Sequence, residues 1–269
     1  MIEPLISSQW LFENIKDPNI IILDASQKAI TANKTVDNTE QIIGARYFDL
    51  KNNFSDPSSD LPNTFPKPSQ FEAECQKLGI NNSSKIIVYD NLSIYSSPRV
   101  WWMFKVMGHQ NVAVLNGGLP DWIAQGFPTT KNQPQQFELG NFKAHFNPES
   151  IKDYTFIKTN LNNKNNIVID ARSSGRFNGT APEPREGLRS GSIPNSFNIP
   201  FQNVLKNGKY KSKEELAYIF SKINVQGKSL TFSCGSGLTA CILLLASELT
   251  IPNKTSVYDG SWTEWAQIE

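Results

Sequence analysis

The chain has 269 residues, and its 26 Lys and Arg against 25 Asp and Glu give a formal net charge of +1. This length suits two domains better than one, and the balanced charge argues against a dedicated nucleic-acid binder. Three Cys without paired spacing exclude a disulfide framework. The two His, His109 and His145, are far apart, which disfavours a His-built metal site or a Ser-His-Asp triad. Any catalysis is therefore expected to use Cys, carboxylates or Arg.

The N-terminal segment predicts a helix rather than a signal peptide. Ser7 or Ser8 would be the N-cap, and Trp10, Leu11 and Ile15 would form one apolar face. The longest apolar stretch, 238–247, is too short to span a bilayer. We therefore expect a cytoplasmic protein with reduced thiols and no membrane contact.

One order of features occurs twice along the chain. A strand ending in Asp at 21–26 has a counterpart at 167–172, and Gly44 in the following turn matches Asn195. A helix, a strand and a second helix then follow in each half, at 69–79, 85–90 and 97–108 and at 213–223, 229–234 and 237–248. Near the end of each half, 116–122 resembles 258–265, with Gly118 matched to Gly260.

This alternation predicts an α/β fold of two domains. Each domain would have a mainly parallel sheet flanked by helices on both faces. The predicted domains cover 1–130 and 151–269. The polar segment 131–150 contains two Pro and is expected to be the linker between them.

The three cysteines differ in their surroundings. Cys75 and Cys241 lie in apolar helical patterns, where a lone Cys usually serves as a small core residue. Cys234 instead directly follows a strand and precedes a Gly-rich loop and a helix. Loop amides and a helix N-terminus would stabilise a thiolate there, so we expect a lowered pKa and a nucleophilic sulfur. The alternative is a buried structural Cys before a tight turn.

Four arginines occupy a polar loop that follows the first strand of the second half. They are Arg172, Arg176, Arg185 and Arg189. The loop should face the same rim as Cys234, and Arg can grip a carboxylate with two parallel hydrogen bonds. The alternative is a solvated loop with surface charges. A protein phosphatase is disfavoured because Ala240 stands where that chemistry requires Arg.

Four stretches carry a resemblance to a known family. They are SSPRVWWMF at 96–104, SGRFNGTAPEPREG at 174–187, SCGSGLTAC at 233–241 and YDGSWTEW at 258–265. Together they resemble the tandem rhodanese family of sulfurtransferases, over about residues 5 to 266. The Cys-Gly-Ser-Gly loop is similar to that of the subgroup that uses 3-mercaptopyruvate, whereas thiosulfate-preferring relatives carry cationic residues there.

The resemblance implies roles for individual residues. Cys234 would be the nucleophile that accepts sulfur as a persulfide, and Ser236 would assist proton transfer. Arg176 and Arg185 would bind the carboxylate and keto oxygen of the substrate. The other loop residues expected to bind substrate are Gly235, Gly237, Leu238 and Thr239.

The resemblance also implies an inactive first domain, since no Cys follows the strand at 85–90. Neither a metal nor an organic cofactor is needed. The sulfur acceptor would be a thiol, such as thioredoxin or a small thiol, or cyanide.

Two residues depart from the family pattern. Asn63 replaces a His that is assigned a supporting role in proton transfer, and Lys51 replaces an acidic residue. A relay through Ser, His and Asp is therefore doubtful in this chain. Two other functions stay open on the sequence, a thiosulfate sulfurtransferase and a non-catalytic persulfide carrier or binding module.

Overall fold

A computed structural model describes residues 2–27, 40–131 and 135–269. Its contacts divide the chain into two compact units. Unit 1 contains the residues up to Ser58, Phe65–Asn147 and Asn207–Lys209. Unit 2 contains Ser59–Thr64, Pro148–Lys206 and Tyr210–Glu269.

Unit 1 is built on a five-stranded parallel sheet. The strands of the whole unit are β1 (Leu5–Ile6), β2 (Ile20–Asp24), β3 (Glu40–Ile42), β4 (Arg46–Tyr47), β5 (Lys85–Tyr89), β6 (Val112–Leu115) and β7 (Thr129–Lys131). The main sheet has the order β1-β6-β5-β2-β4, and β3 pairs with β7 in a separate antiparallel ribbon. The helices are α1 (Ser8–Asn14), α2 (Pro68–Lys77), α3 (Ser97–Val106) and α4 (Gly118–Ala124).

Unit 2 repeats this design. Its strands are β8 (Ile151–Lys152), β9 (Asn166–Asp170), β10 (Phe197–Asn198), β11 (Leu205–Lys206), β12 (Lys209–Tyr210, of which Lys209 groups with unit 1), β13 (Ser229–Ser233) and β14 (Thr255–Tyr258). The parallel sheet has the order β8-β14-β13-β9-β10, the same sequence of equivalent strands as in unit 1. The helices are α5 (Tyr154–Thr159), α6 (Ser174–Phe177), α7 (Lys213–Ser221), α8 (Ala240–Glu248) and α9 (Ser261–Ile268). The predicted α/β class and the duplication are confirmed.

Local sequence signals explain where several helices begin. The Ser7 side chain accepts a hydrogen bond from the Trp10 amide, which fixes Ser7 as the N-cap of α1. In α7, Ser212 and Glu215 form a reciprocal capping box. Helices α2 and α3 each carry Pro in the first turn, where its missing N–H costs nothing.

Backbone hydrogen bonds give the exact match between the two copies. The Leu119 amide donates to the Asp90 carbonyl at 3.0 Å, and the Trp262 amide donates to the Cys234 carbonyl at 3.0 Å. Leu119 is therefore equivalent to Trp262, so Gly118 matches Ser261. The predicted match of Gly118 with Gly260 is wrong by one residue.

An earlier match agrees with the backbone. Gly44 and Asn195 both have left-handed conformations, with φ of 76° and 60°. Asn tolerates this region better than most residues because its side chain bonds locally, so the same turn survives the exchange.

The segment predicted as a linker belongs largely to unit 1. Residues 129–131 form β7, and residues 135–147 group with unit 1. The side chain of Phe142 is fully buried, and the His145 amide donates to the Met107 carbonyl at 2.8 Å. The predicted linker of 131–150 is therefore wrong for these residues, because buried apolar and backbone contacts hold them; residues 132–134 lie outside the described residues.

Two cysteines have the predicted packing role. Cys75 in α2 and Cys241 in α8 are fully buried, and burial raises the pKa of the Cys75 thiol. None of the helices in the described parts of the chain is long and apolar enough to cross a bilayer.

Candidate functional site

Cys234 lies at the carboxyl end of β13, the central strand of unit 2. Its side chain is buried, and the chain turns through Gly235–Leu238 before α8 begins at Ala240. The helix predicted at 237–248 thus begins three residues later than predicted, at Ala240. Gly237 has a φ of 75°, a conformation that Gly adopts without strain.

Ser261 anchors the Cys234 loop from the first turn of α9. Its hydroxyl oxygen accepts hydrogen bonds from the amides of Cys234 at 3.2 Å and Gly237 at 3.1 Å, and donates to the Tyr258 carbonyl at 2.7 Å. In this position Ser261 adopts a left-handed φ of 51°, which is uncommon for a residue with a side chain. The Gly237 amide, which the sequence suggested for the sulfur, is therefore bonded to Ser261.

A buried network of four charged side chains lies beside the loop. Nε and Nη2 of Arg172 donate to Oδ2 of Asp170 at 3.0 and 2.7 Å, and Nε also donates to Oδ1 at 3.1 Å. Nη1 of Arg172 donates to one oxygen of Glu183 at 2.7 Å. The other Glu183 oxygen accepts from Arg176 at 2.5 and 3.1 Å. Two carboxylates thus balance two guanidinium groups in a place where an isolated charge would be costly. Arg172 serves this network and is inaccessible to a substrate.

Both arginines predicted to bind substrate reach the Cys234 loop. A Cβ atom added at Gly235 would stand 2.9 Å from Nη2 of Arg176, so this guanidinium lies against the loop. Nη1 of Arg185 donates to the Thr263 hydroxyl at 2.6 Å, and that hydroxyl donates to the Gly235 carbonyl at 2.6 Å. The structure therefore places Arg176 and Arg185 at the loop that carries Cys234.

Arg189 packs against Trp262. Its guanidinium carbon lies 5.0 Å from the centre of the Trp262 ring, and its carbonyl accepts from the Trp262 indole at 2.7 Å. The Arg172 guanidinium lies 4.3 Å from the same ring. Trp262 thus receives two cation–π contacts.

Ser236 is half-buried, and its partner comes from the segment that departs from the family pattern. Nδ2 of Asn63 donates to the Ser236 hydroxyl at 3.0 Å, and Asn63 belongs to the Ser59–Thr64 part of unit 2. An amide cannot exchange a proton near neutral pH, so this contact orients Ser236 without relaying a proton. Both His residues of the chain lie in unit 1. There, burial lowers the pKa of His109.

Leu238 and Thr239 are the remaining loop residues that the sequence predicts to bind substrate. Leu238 is buried, and Thr239 is the residue that precedes the first turn of α8. Their proposed contact with substrate stays a prediction. Within the described ranges, no group of three or more His, Cys, Asp or Glu side chains is arranged to hold a metal ion.

Three residues around the Cys234 loop, Glu183, Ser261 and Thr263, were not predicted from the sequence. Glu183 was hidden because a single acidic residue in a polar loop carries no spacing signal. Ser261 and Thr263 were visible only as part of a repeated motif. Their polarity, set against Gly118 and Pro120 at the equivalent places of the first copy, is the signal that could have identified them.

Comparison with known proteins agrees with this architecture. The family profile described as Rhodanese-like domain matches residues 7–125 and 154–268. The chain is 38% identical to human 3-mercaptopyruvate sulfurtransferase over 97% of this chain and 91% of the relative. It is 37% identical to Arabidopsis thaliana thiosulfate/3-mercaptopyruvate sulfurtransferase 1, mitochondrial, over 98% of this chain and 76% of the relative.

A solved structure gives the same result. The crystal structure of SseA from Escherichia coli, described as a 3-mercaptopyruvate sulfotransferase with the rhodanese fold, superposes with a TM-score of 0.85. The two chains are 34% identical, and the match covers 97% of this chain and 99% of SseA. With two matched domains and this similarity over nearly its full length, the chain belongs to the family of proteins with tandem rhodanese-like domains.

Proposed function

We propose that the chain is a sulfurtransferase that moves the sulfur of 3-mercaptopyruvate to a thiol or to cyanide through a persulfide on Cys234. The observation that carries this proposal is the convergence of Arg176 and Arg185 on the loop of a single thiol. A cationic pair beside a sulfur nucleophile suits a small substrate that has a carboxylate and a sulfur a few bonds apart.

In the first half-reaction, the Cys234 thiolate attacks the substrate sulfur. A new S–S bond forms while the C–S bond breaks, and the electron pair of that bond goes to the carbon that becomes pyruvate enolate. Arg176 and Arg185 stabilise the negative charge of the enolate and carboxylate. The enolate carbon takes up the proton that the substrate thiol brought, so the products are pyruvate and a Cys234 persulfide anion.

Ser236 is suited to assist this proton movement. Its oxygen accepts a hydrogen bond from Asn63 at 3.0 Å, so its own proton points to another acceptor. We propose that this acceptor is the substrate. Because Asn63 does not titrate, the step does not depend on the ionisation of a neighbouring His.

In the second half-reaction, an acceptor thiolate or cyanide attacks the outer sulfur of the persulfide. The S–S bond breaks, its electron pair returns to Cys234, and the enzyme is ready for another cycle. Thioredoxin or a small thiol is our proposed acceptor, and the cytoplasm is our proposed compartment; the Arabidopsis relative is named as mitochondrial.

The loop composition supports mercaptopyruvate over thiosulfate as the sulfur donor. Gly235 and Ser236 are uncharged, and the space next to the Gly235 Cα is occupied by the guanidinium of Arg176. A cationic side chain at 235 would crowd that guanidinium and repel its charge. Thiosulfate stays the second candidate because the Arabidopsis relative is named for both donors.

Replacement of the nucleophile tests the proposal. The Cys234→Ser variant should release no pyruvate from 3-mercaptopyruvate above the uncatalysed rate, because a serine hydroxyl is not ionised at neutral pH. Cys75→Ala is the matched control, since Cys75 is a buried packing residue of unit 1. Pyruvate release by Cys234→Ser at the wild-type rate would refute the assignment. A stoichiometric persulfide without repeated turnover in the wild type would instead favour a sulfur carrier.

A further inference from the structure

We propose that Thr263 is a positioning residue that holds the substrate-binding Arg185 in register with the Cys234 loop, an inference that rests on the proposed function. Thr263 lies in the first turn of α9 and is buried, with 4% of its surface exposed. Its hydroxyl stands between the guanidinium of Arg185 and the carbonyl of Gly235, at 2.6 Å from each.

The hydrogen-bonding capacity of a hydroxyl makes this link specific. A Thr hydroxyl has one proton to donate and lone pairs to accept, whereas a carbonyl only accepts and a guanidinium only donates. The guanidinium and the carbonyl therefore cannot swap their roles, and the hydroxyl must donate to Gly235 and accept from Arg185. A Val side chain has the same shape and can do neither.

The loop itself has a second attachment at this point. The Thr263 amide donates to the same Gly235 carbonyl at 3.0 Å. The Trp262 amide also donates to the Cys234 carbonyl. Removal of the hydroxyl therefore leaves the loop tied to α9 by its backbone, and the main loss is the hydrogen bond from Arg185 to Thr263.

The first copy of the domain supports a functional reading. Pro120 stands at the place of Thr263, and it has neither a hydroxyl nor an amide proton. The catalytic copy alone combines a thiol, an upstream arginine loop and a polar first turn at this helix. A purely structural need at the helix start would not require the hydroxyl.

Thr263 should consequently control how well the substrate carboxylate is bound. We expect Thr263→Val to raise the KM for 3-mercaptopyruvate about tenfold, the effect of losing one hydrogen bond to a charged group. The kcat should fall less than the KM rises, by no more than about threefold, since the nucleophile, its loop and Arg176 remain to stabilise the enolate. The inhibition constant of pyruvate, which has the carboxylate but no sulfur, should rise in parallel.

Three comparisons make the test decisive. Thr263→Ser keeps the hydroxyl and should restore the wild-type KM. Thr159→Val is the control substitution, because the Thr159 hydroxyl is exposed and bonds to carbonyls of its own helix. In an Arg185→Met background, Thr263→Val should change KM little further, because the group it positions has gone.

The outcomes separate this inference from the proposed function. If the wild type does not turn over 3-mercaptopyruvate, the proposed function fails. If the wild type is active and Thr263→Val keeps the wild-type KM and pyruvate inhibition, only the role of Thr263 is refuted. A Thr263→Ser variant as impaired as Thr263→Val would also refute it. Should Thr263→Val fold poorly, Thr263→Ala is measured in its place, with the same expected KM.

Discussion

The loops that follow the central strands of the two units differ in what they enclose. In unit 1 the loop after β5 donates hydrogen bonds to the carboxylate of its own residue Asp90. One oxygen of Asp90 accepts from the amides of Tyr95, Ser96 and Ser97, at 2.9, 3.1 and 2.9 Å, and from the Ser97 hydroxyl at 2.6 Å. In unit 2 the equivalent residue is Cys234, and α9 holds the loop from outside.

This difference shows that equivalent loops of a duplicated scaffold can enclose different groups. A loop rich in amides is suited to a negative group, and in unit 1 the Asp90 carboxylate supplies it permanently. Gly118 adds to this closure, because a Cβ there would collide with the backbone of Asp90 and Ser93. The serine that anchors the unit 2 loop, Ser261, therefore has no room at the equivalent place in unit 1.

A second contrast concerns the Asp residues that end β2 in unit 1 and β9 in unit 2. Asp170 in unit 2 is paired with Arg172, whereas Ser26 stands at the equivalent position after Asp24 in unit 1. Burial raises the pKa of Asp24, and the nearby Asp90 adds to the effect. Burial raises the pKa of Asp170 as well, and Arg172 opposes that effect, so the difference between the two units is the paired cation.

The largest expected effect follows from removing the arginine of that pair. Arg172→Met should lower the free energy of unfolding of unit 2 by about 3–5 kcal/mol, because Asp170 would remain buried without its paired cation. Glu183 would keep its hydrogen bonds to Arg176. Hydrogen exchange measured on peptides from each unit checks this. Ser26→Ala is the control at the matched position of unit 1. An equal loss of hydrogen-exchange protection in Arg172→Met and Ser26→Ala would contradict the stabilising role of the Arg172–Asp170 pair.

Asp90→Asn should have an intermediate effect, confined to unit 1. The amide keeps one oxygen but loses the charge that strengthens the hydrogen bonds of the loop, so unit 1 should lose about 2 kcal/mol. Sulfur transfer by Cys234 should stay within about twofold of the wild type where the protein is folded. Denaturation followed together with pyruvate release measures both quantities. A large loss of turnover without a loss of stability would overturn the assignment of Asp90 to structure.

The smallest effect is a pH dependence carried by Asp24. A carboxyl group whose pKa is raised in the folded state makes folding less favourable as pH rises from about 4 through that raised pKa. Asp24→Asn removes this contribution, so the variant should become more stable relative to the wild type as pH rises from about 4 to neutral pH. Urea denaturation at several pH values gives this difference.

Asp17→Asn provides a control of opposite sign. Hydrogen bonding to Lys85 is the main cause that lowers the pKa of Asp17 to about 2. Its contribution to stability is present above the unfolded pKa of about 4 and disappears as pH falls toward 2. The Asn variant should thus be less stable than the wild type at neutral pH and approach it in acid. Parallel pH profiles for both variants would contradict the role given to burial at Asp24.

Much of the fold could be predicted from local sequence because strands and helices here carry clear periodic patterns. The central strands at 85–90 and 229–234 and the helix around Cys75 are within two residues of their predicted bounds. The segment at 135–147 could not be placed, since it has no periodicity and its position depends on buried contacts such as those of Phe142. Its folding onto unit 1 is a tertiary effect.

The candidate site was predictable only in part. Cys234, Arg176 and Arg185 stood out by residue type and position in the chain. The link through Thr263 and the contact between Asn63 and Ser236 could not be foreseen, because each joins residues that are far apart in sequence. The shared Glu183 also changes the reading of Arg172, which is a partner of carboxylates rather than of substrate.

A steady-state comparison of the two sulfur donors tests whether the protein prefers 3-mercaptopyruvate. The same preparation of wild-type protein is assayed with 3-mercaptopyruvate and with thiosulfate, each with the same thiol acceptor, and kcat/KM is determined for both. An uncharged Cys234 loop beside two arginines that we propose to bind the substrate carboxylate predicts a higher kcat/KM for 3-mercaptopyruvate. A higher value for thiosulfate would contradict the account.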